Sequence, residues 1–103
     1  MAIVVLIKRT VPEDKVKKVL PLFRELRRLC LDRPGYISGA TLRRLDKPDE
    51  YLVISTWQLL EDWKKWQMSE ERKEIQGEIG SLIGDKIEYE VYDYKLPERA
   101  LTE

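Results

Sequence analysis

Histidine and asparagine are both missing from this 103-residue chain, and cysteine occurs once, at position 30. Without histidine there is no imidazole to act as a base near neutral pH or to ligate zinc, copper or non-haem iron. A single thiol cannot make up that loss, and no Asp/Glu spacing of the EF-hand kind is present. The expectation is a protein with no metal and no cofactor, in which any proton transfer falls to Asp, Glu, Lys or Tyr. One cysteine also excludes an internal disulfide, which fits a reducing compartment and a small buried apolar side chain. No apolar run is longer than Ala2 to Ile7, far short of the ~20 residues of a membrane span. That run has no basic region before it and no small-residue cleavage site after it, so neither a signal peptide nor a membrane contact is expected. A cytoplasmic location is the simplest expectation. Lys+Arg and Asp+Glu balance at 19 each, which leaves no basic block for a phosphate backbone and argues against nucleic acid as a partner.

The patterning that is present describes one domain over residues 1–95 and a tail over 96–103 without periodicity. Ala2 to Ile7 is apolar on both alternations, which predicts a strand covered on both faces, with Lys8 and Arg9 marking its end at the surface. Val11-Pro12-Glu13-Asp14 opens a helix, and Val16, Val19, Leu20, Phe23, Leu26 and Cys30 form its apolar stripe. Pro21 should kink that helix or restart it, and Arg33-Pro34-Gly35 should end it. Tyr36 to Leu45 and Glu50 to Trp57 read as a hairpin, and Gly39 inside the first strand marks a bulge or the close approach of another group. A second helical region begins at Leu59, breaks at Met68, and restarts with Ser69 as N-cap before ending at Gly84. Lys86 to Tyr94 alternates and supplies the last strand.

The order βαββαβ predicts an α+β fold of the ferredoxin-like type, with a four-stranded antiparallel sheet and helices on one face. The other face would then expose the apolar residues of the first and third strands. Soluble monomers rarely keep such a patch, so a homodimer packed sheet to sheet is expected.

Particular stretches resemble the antibiotic biosynthesis monooxygenase family. They are Pro34-Gly35-Tyr36-Ile37-Ser38-Gly39, Val53-Ile54-Ser55-Thr56-Trp57, Glu61-Asp62-Trp63-Lys64-Lys65-Trp66 and Ser69-Glu70-Glu71-Arg72. The resemblance runs from Ala2 to Tyr94 and implies a dimeric α+β barrel built from two ferredoxin-like halves. It also implies a cofactor-independent monooxygenase of small phenolic or quinol-type substrates. The absence of His, Asn and any evident acid-base pair motivates the alternative, a non-catalytic dimeric α+β barrel that binds a small ligand or serves in a stress response. A haem-degrading branch of the family uses an Asn on the first strand and a His ligand to iron. Those positions fall on Ile7 or Lys8 and near Gln76 here, and neither Ile nor Gln replaces an imidazole on haem iron. Haem degradation is therefore not expected.

The candidates for a substrate pocket are Trp57, Trp63, Trp66, Tyr36 and Tyr51, which could form an aromatic wall for a flat ligand. Ordinary core packing competes with that role for every one of them. Trp66 stands out because the resemblance points to its position. Arg72 could hold a substrate oxyanion, against a plain surface pairing with Glu70, Glu71 or Glu74, and Gln76 could donate a hydrogen bond to a ligand. Arg43 and Arg44 straddle the sheet, so one of them would face away from solvent if their strand were central. No catalytic residue is assigned from the sequence.

Overall fold

The computed structural model describes residues 2–95; the tail over 96–103 lies outside the described residues. Strands β1 (Ile3–Thr10), β2 (Tyr36–Arg43), β3 (Glu50–Trp57) and β4 (Glu88–Asp93) form one sheet in the order β2-β3-β1-β4. Every pairing is antiparallel. Helices α1 (Val16–Leu31), α2 (Leu60–Gln67) and α3 (Glu70–Ile83) complete the ferredoxin-like α+β arrangement.

The register fixes which side chains share a face, because successive strand residues point to opposite sides. Ile3, Val5, Ile7 and Arg9 oppose Trp57, Ser55, Val53 and Tyr51 on the face beneath the helices. Val4, Leu6 and Lys8 oppose Thr56, Ile54 and Leu52 on the other face, which no helix covers among the described residues. Two apolar clusters fill the space under the helices. One gathers Ile3, Val5, Cys30, Trp57, Trp63 and Trp66, and the other Val11, Val19, Phe23, Tyr51 and Ile79.

Several local expectations are met. Ser69 caps α3, its Oγ accepting from the Arg72 backbone N–H at 3.3 Å. Gly84, at φ 86°, ends the same helix in a conformation open to glycine. The pairing of β2 with β3 slips between Tyr36 and Ser38, and a Cβ at Gly39 would collide with the Tyr36 hydroxyl. The slip falls at Ile37 and Gly39 itself pairs in register with Ser55, so of the two readings of Gly39 the close approach is the one met.

Others are corrected. Val11 to Asp14 does not open α1: Glu13–Lys15 form a 3-10 turn, and the α-helix starts at Val16. Pro21 does not restart α1, which runs through it as one helix. The carbonyl that Pro21 leaves without an N–H belongs to Lys17, and both residues are exposed, so water can satisfy it. Neither Arg43 nor Arg44 is buried, because β2 is an edge strand. Arg44 lies in the hairpin and pairs with Asp46 and Glu50 at 2.6 and 3.3 Å.

Candidate functional site

A cleft lies between the covered face of the sheet and the helices. Its floor comes from Ile7 and Arg9 of β1, Val53 and Ser55 of β3, and Gly39 and Thr41 of β2. Its roof is Phe23, Leu26 and Cys30 of α1, with Trp63 and Trp66 of α2. Tyr36 and Arg72 close its sides. The placement follows from local sequence. Trp63 and Trp66 are three apart, so one face of the short helix α2 carries both indoles inward. The missing side chain at Gly39 gives the Tyr36 ring room to lie across β2. The free space is about 70 Å³, about half of the ~150 Å³ that holds benzene in an engineered protein cavity. Arg27, Ala40 and Thr41 line the cleft and remain exposed, which places its open side between α1 and the edge strand β2. A whole ring must extend into that opening.

Arg9 is the unexpected member. The sequence suggested that it marks a strand end at the surface, but it is 6% exposed. Strand alternation explains why: β1 continues to Thr10, and Arg9 follows Ile3, Val5 and Ile7 on the covered face. Its Nη2 donates to Gln76 Oε1 at 2.8 Å, its guanidinium lies 5.0 Å from the Phe23 ring centre, and its buried Nε has no partner. Burial pulls its pKa down to about 10, so it remains charged at neutral pH. Arg72 is held by the Gln67 carbonyl at 3.3 Å and by the Tyr89 hydroxyl, which accepts from Nη2 at 2.5 Å. Neither Arg9 nor Arg72 pairs with a carboxylate among the described residues. Arg33 stacks over Trp66 at 5.9 Å and reaches Glu71 at 3.7 Å, tying the end of α1 to α2 and α3.

The thiol and the phenol of the cleft are neutral, and Arg27 adds a further cation at its exposed rim. Burial pushes the Cys30 thiol up to about 12 and raises the Tyr36 hydroxyl above its ordinary value. The lining contains arginines but no Asp, Glu, Lys or His. Among the described residues, no group of His, Cys, Asp and Glu is placed to hold a metal ion.

Of the seven candidates read from the sequence, Trp63, Trp66, Tyr36 and Arg72 line the cleft and the other three do not. Trp57 is completely buried beneath it, its indole N–H donating to Ser55 Oγ at 3.1 Å. Tyr51 packs edge-on against Phe23 in the other cluster, with ring centres 6.4 Å apart. Gln76 stands behind the cleft as the partner of Arg9. A second hollow, about 300 Å³ in volume, is edged by Lys8, Arg9, Lys47, Glu50, Lys86 and Glu88. Its mixed charges and lack of aromatic walls make it a poor receptacle for a ring.

Fold and cleft together define a ferredoxin-like α+β domain with an aromatic-roofed, cationic cleft between helices and sheet. Residues 2–78 match the family model for antibiotic biosynthesis monooxygenase, and the chain belongs to that family. A conserved protein from Methanosarcina mazei Go1 has a similar structure, with a TM-score of 0.85 at 23% identity over 92% of this chain and 94% of that one. SnoaB, a cofactor-independent oxygenase from Streptomyces nogalater, gives a TM-score of 0.82 at 14% identity over 94% of this chain and 96% of its own. Rv0793 from Mycobacterium tuberculosis gives 0.83 at 11% identity, covering 95% and 99%. No curated protein matches the sequence. No helix among the described residues is long and apolar enough to cross a membrane.

Proposed function

We propose that the protein is a cofactor-independent monooxygenase of small phenolic or quinol-type rings. The observation that carries this reading is the cleft: apolar, roofed by Trp63 and Trp66, and lined by cations without a single carboxylate. An electron-rich phenolate can itself reduce dioxygen. It passes one electron to O₂, the radical pair combines at a ring-activated carbon, and the peroxide loses water to leave a carbonyl. For an anthrone-like CH₂ group, four electrons come from the substrate, one oxygen atom enters the product and the other leaves as water. The protein's share is to hold the ring, exclude bulk water and favour the anionic form. Trp63 and Trp66 supply the apolar walls. The structural similarity to SnoaB supports the fold on which this chemistry would run.

The test is oxygen uptake by purified protein given a panel of hydroquinones and anthrone-like phenols, with Trp66→Ala alongside. The expected result is protein-dependent uptake that the variant loses. Uptake no faster than the substrates' own autoxidation would sink the reading. That outcome would favour a non-catalytic ligand-binding protein, a reading supported by the lack of any side chain in the cleft that accepts a proton at neutral pH.

We also infer that the working form is a homodimer packed through the uncovered sheet face. Leu6, Ile54 and Ala40 line up across three strands there, with Leu52 and Leu42 in the adjacent row. Leu42 and Tyr92 of that face are 46% and 50% exposed in the single chain. Covering an apolar face of this kind is a common reason for two-fold association. Sedimentation should give twice the chain mass, and Leu6→Lys should reduce it to a monomer. A monomeric parent protein would rule the dimer out.

A further inference from the structure

We propose that the cleft takes its aromatic ligand as an anion, with the ring oxygen set against the Arg9 guanidinium and Arg72 beside it. The inference rests on the cleft being the ligand site. It goes further in naming the residue that selects the ligand's charge state.

Burying a guanidinium without a counter-ion is unfavourable, and buried cations are normally paired. Arg9 is buried yet has only the neutral Gln76 amide, the face of Phe23 and an unpartnered Nε. Arg72 lines the same space and is likewise held by neutral oxygens. The titratable and charged groups packed around Arg9 come from every neighbouring element. On the cleft side they are Arg27 and Cys30 of α1, Tyr36 of β2, Arg72 of α3 and Tyr89 of β4, with Tyr51 its partner on β3; on the other side Arg9 edges the second hollow with Lys8, Lys47, Glu50, Lys86 and Glu88. No carboxylate lines the cleft, and neither Glu50 nor Glu88 forms an ion pair with Arg9, so the cleft as built carries a positive charge that an anionic ligand would balance. A carboxylate-free pair of arginines in an apolar setting favours the ionised form of a bound phenol and so lowers its pKa. Deprotonation then requires no base within the cleft: water takes the proton, and the guanidiniums hold the phenolate.

Absorbance titration of 4-nitrophenol, whose colour reports its ionisation, tests this without any turnover. With saturating protein the bound phenol is expected to ionise roughly one to three pH units below the free compound. 4-Nitroanisole, which cannot ionise, should bind about tenfold or more weakly than the nitrophenolate. Gln76→Glu preserves the shape and the contact with Arg9 but neutralises it, and should abolish the shift; Arg9→Met should do the same. A bound phenol that ionises at or above the pH of the free one overturns the proposal, as does failure of the nitrophenolate to bind. The wild-type titration decides the matter even if Arg9→Met does not fold. A lowered ionisation pH without oxygen uptake would sink the monooxygenase reading and leave this one standing. Oxygen uptake without the shift would do the reverse.

Discussion

The two apolar clusters under the helices differ in kind. At one, Val11, Val19 and Ile79 are completely buried around Tyr51, and Phe23 stands at the edge, where it reaches the cleft. At the other, the same helix layer presents the indoles of Trp63 and Trp66 beside Cys30, and free space remains between them and the sheet. Burial of an aromatic is therefore not the same as burial in a core. Trp57 and Trp66 make the point within a single cluster, one sealed by its bond to Ser55 and the other facing the cleft.

Four substitutions sharpen this contrast, taken from the largest effect to the smallest. Trp57→Ala should lower stability by ~3–5 kcal/mol in urea denaturation, since a fully buried ring is removed from the sealed part. Gly39→Ala should cost ~1–3 kcal/mol because the new methyl group displaces the Tyr36 ring, and ligand affinity should fall with it. Ile79→Val should cost ~0.5–1.5 kcal/mol and leave ligand affinity unchanged, because Ile79 belongs to the closed cluster. Ser69→Ala should cost ~1 kcal/mol through loss of the α3 cap. An equal loss of ligand affinity in Ile79→Val and Gly39→Ala would break the distinction between the two regions.

Cys30 adds a smaller, pH-dependent effect. Its thiol titrates at about 12 in the folded chain, above its ordinary value, so the unfolded chain loses this proton first as pH rises. Its contribution to stability is complete below the ordinary thiol range and declines as pH climbs from there towards 12. Alkylation at pH 8 should accordingly be slow in the folded protein and fast in denaturant. Rapid labelling of the folded form would contradict the burial described.

Much of the fold was legible in the sequence because strand alternation and helical periodicity are strong in this chain. The βαββαβ order, the Ser69 cap and the close approach at Gly39 could all be read from residue types alone. The start of α1 at Val16 could not, because the residues before it close a 3-10 turn; at Pro21 the sequence left a kink or a restart open, and the helix is not restarted. The cleft was only half visible. Helical spacing gathers Trp63 and Trp66 on one face, but which aromatics seal and which line depends on sheet register and on Gly39. Arg9 was missed because a charged residue at the end of an apolar run reads as surface. The alternation Ile3, Val5, Ile7, Arg9 carried the opposite message.

The central claim, that an aromatic ligand sits under α2 rather than on the surface, is tested most directly by nuclear magnetic resonance of the indole N–H groups. Titration with methylhydroquinone under argon should shift the Trp63 and Trp66 signals strongly and the Trp57 signal least, each assigned by its Trp→Phe variant. Shifts confined to Trp57, or no indole shift at ligand saturation, would contradict it.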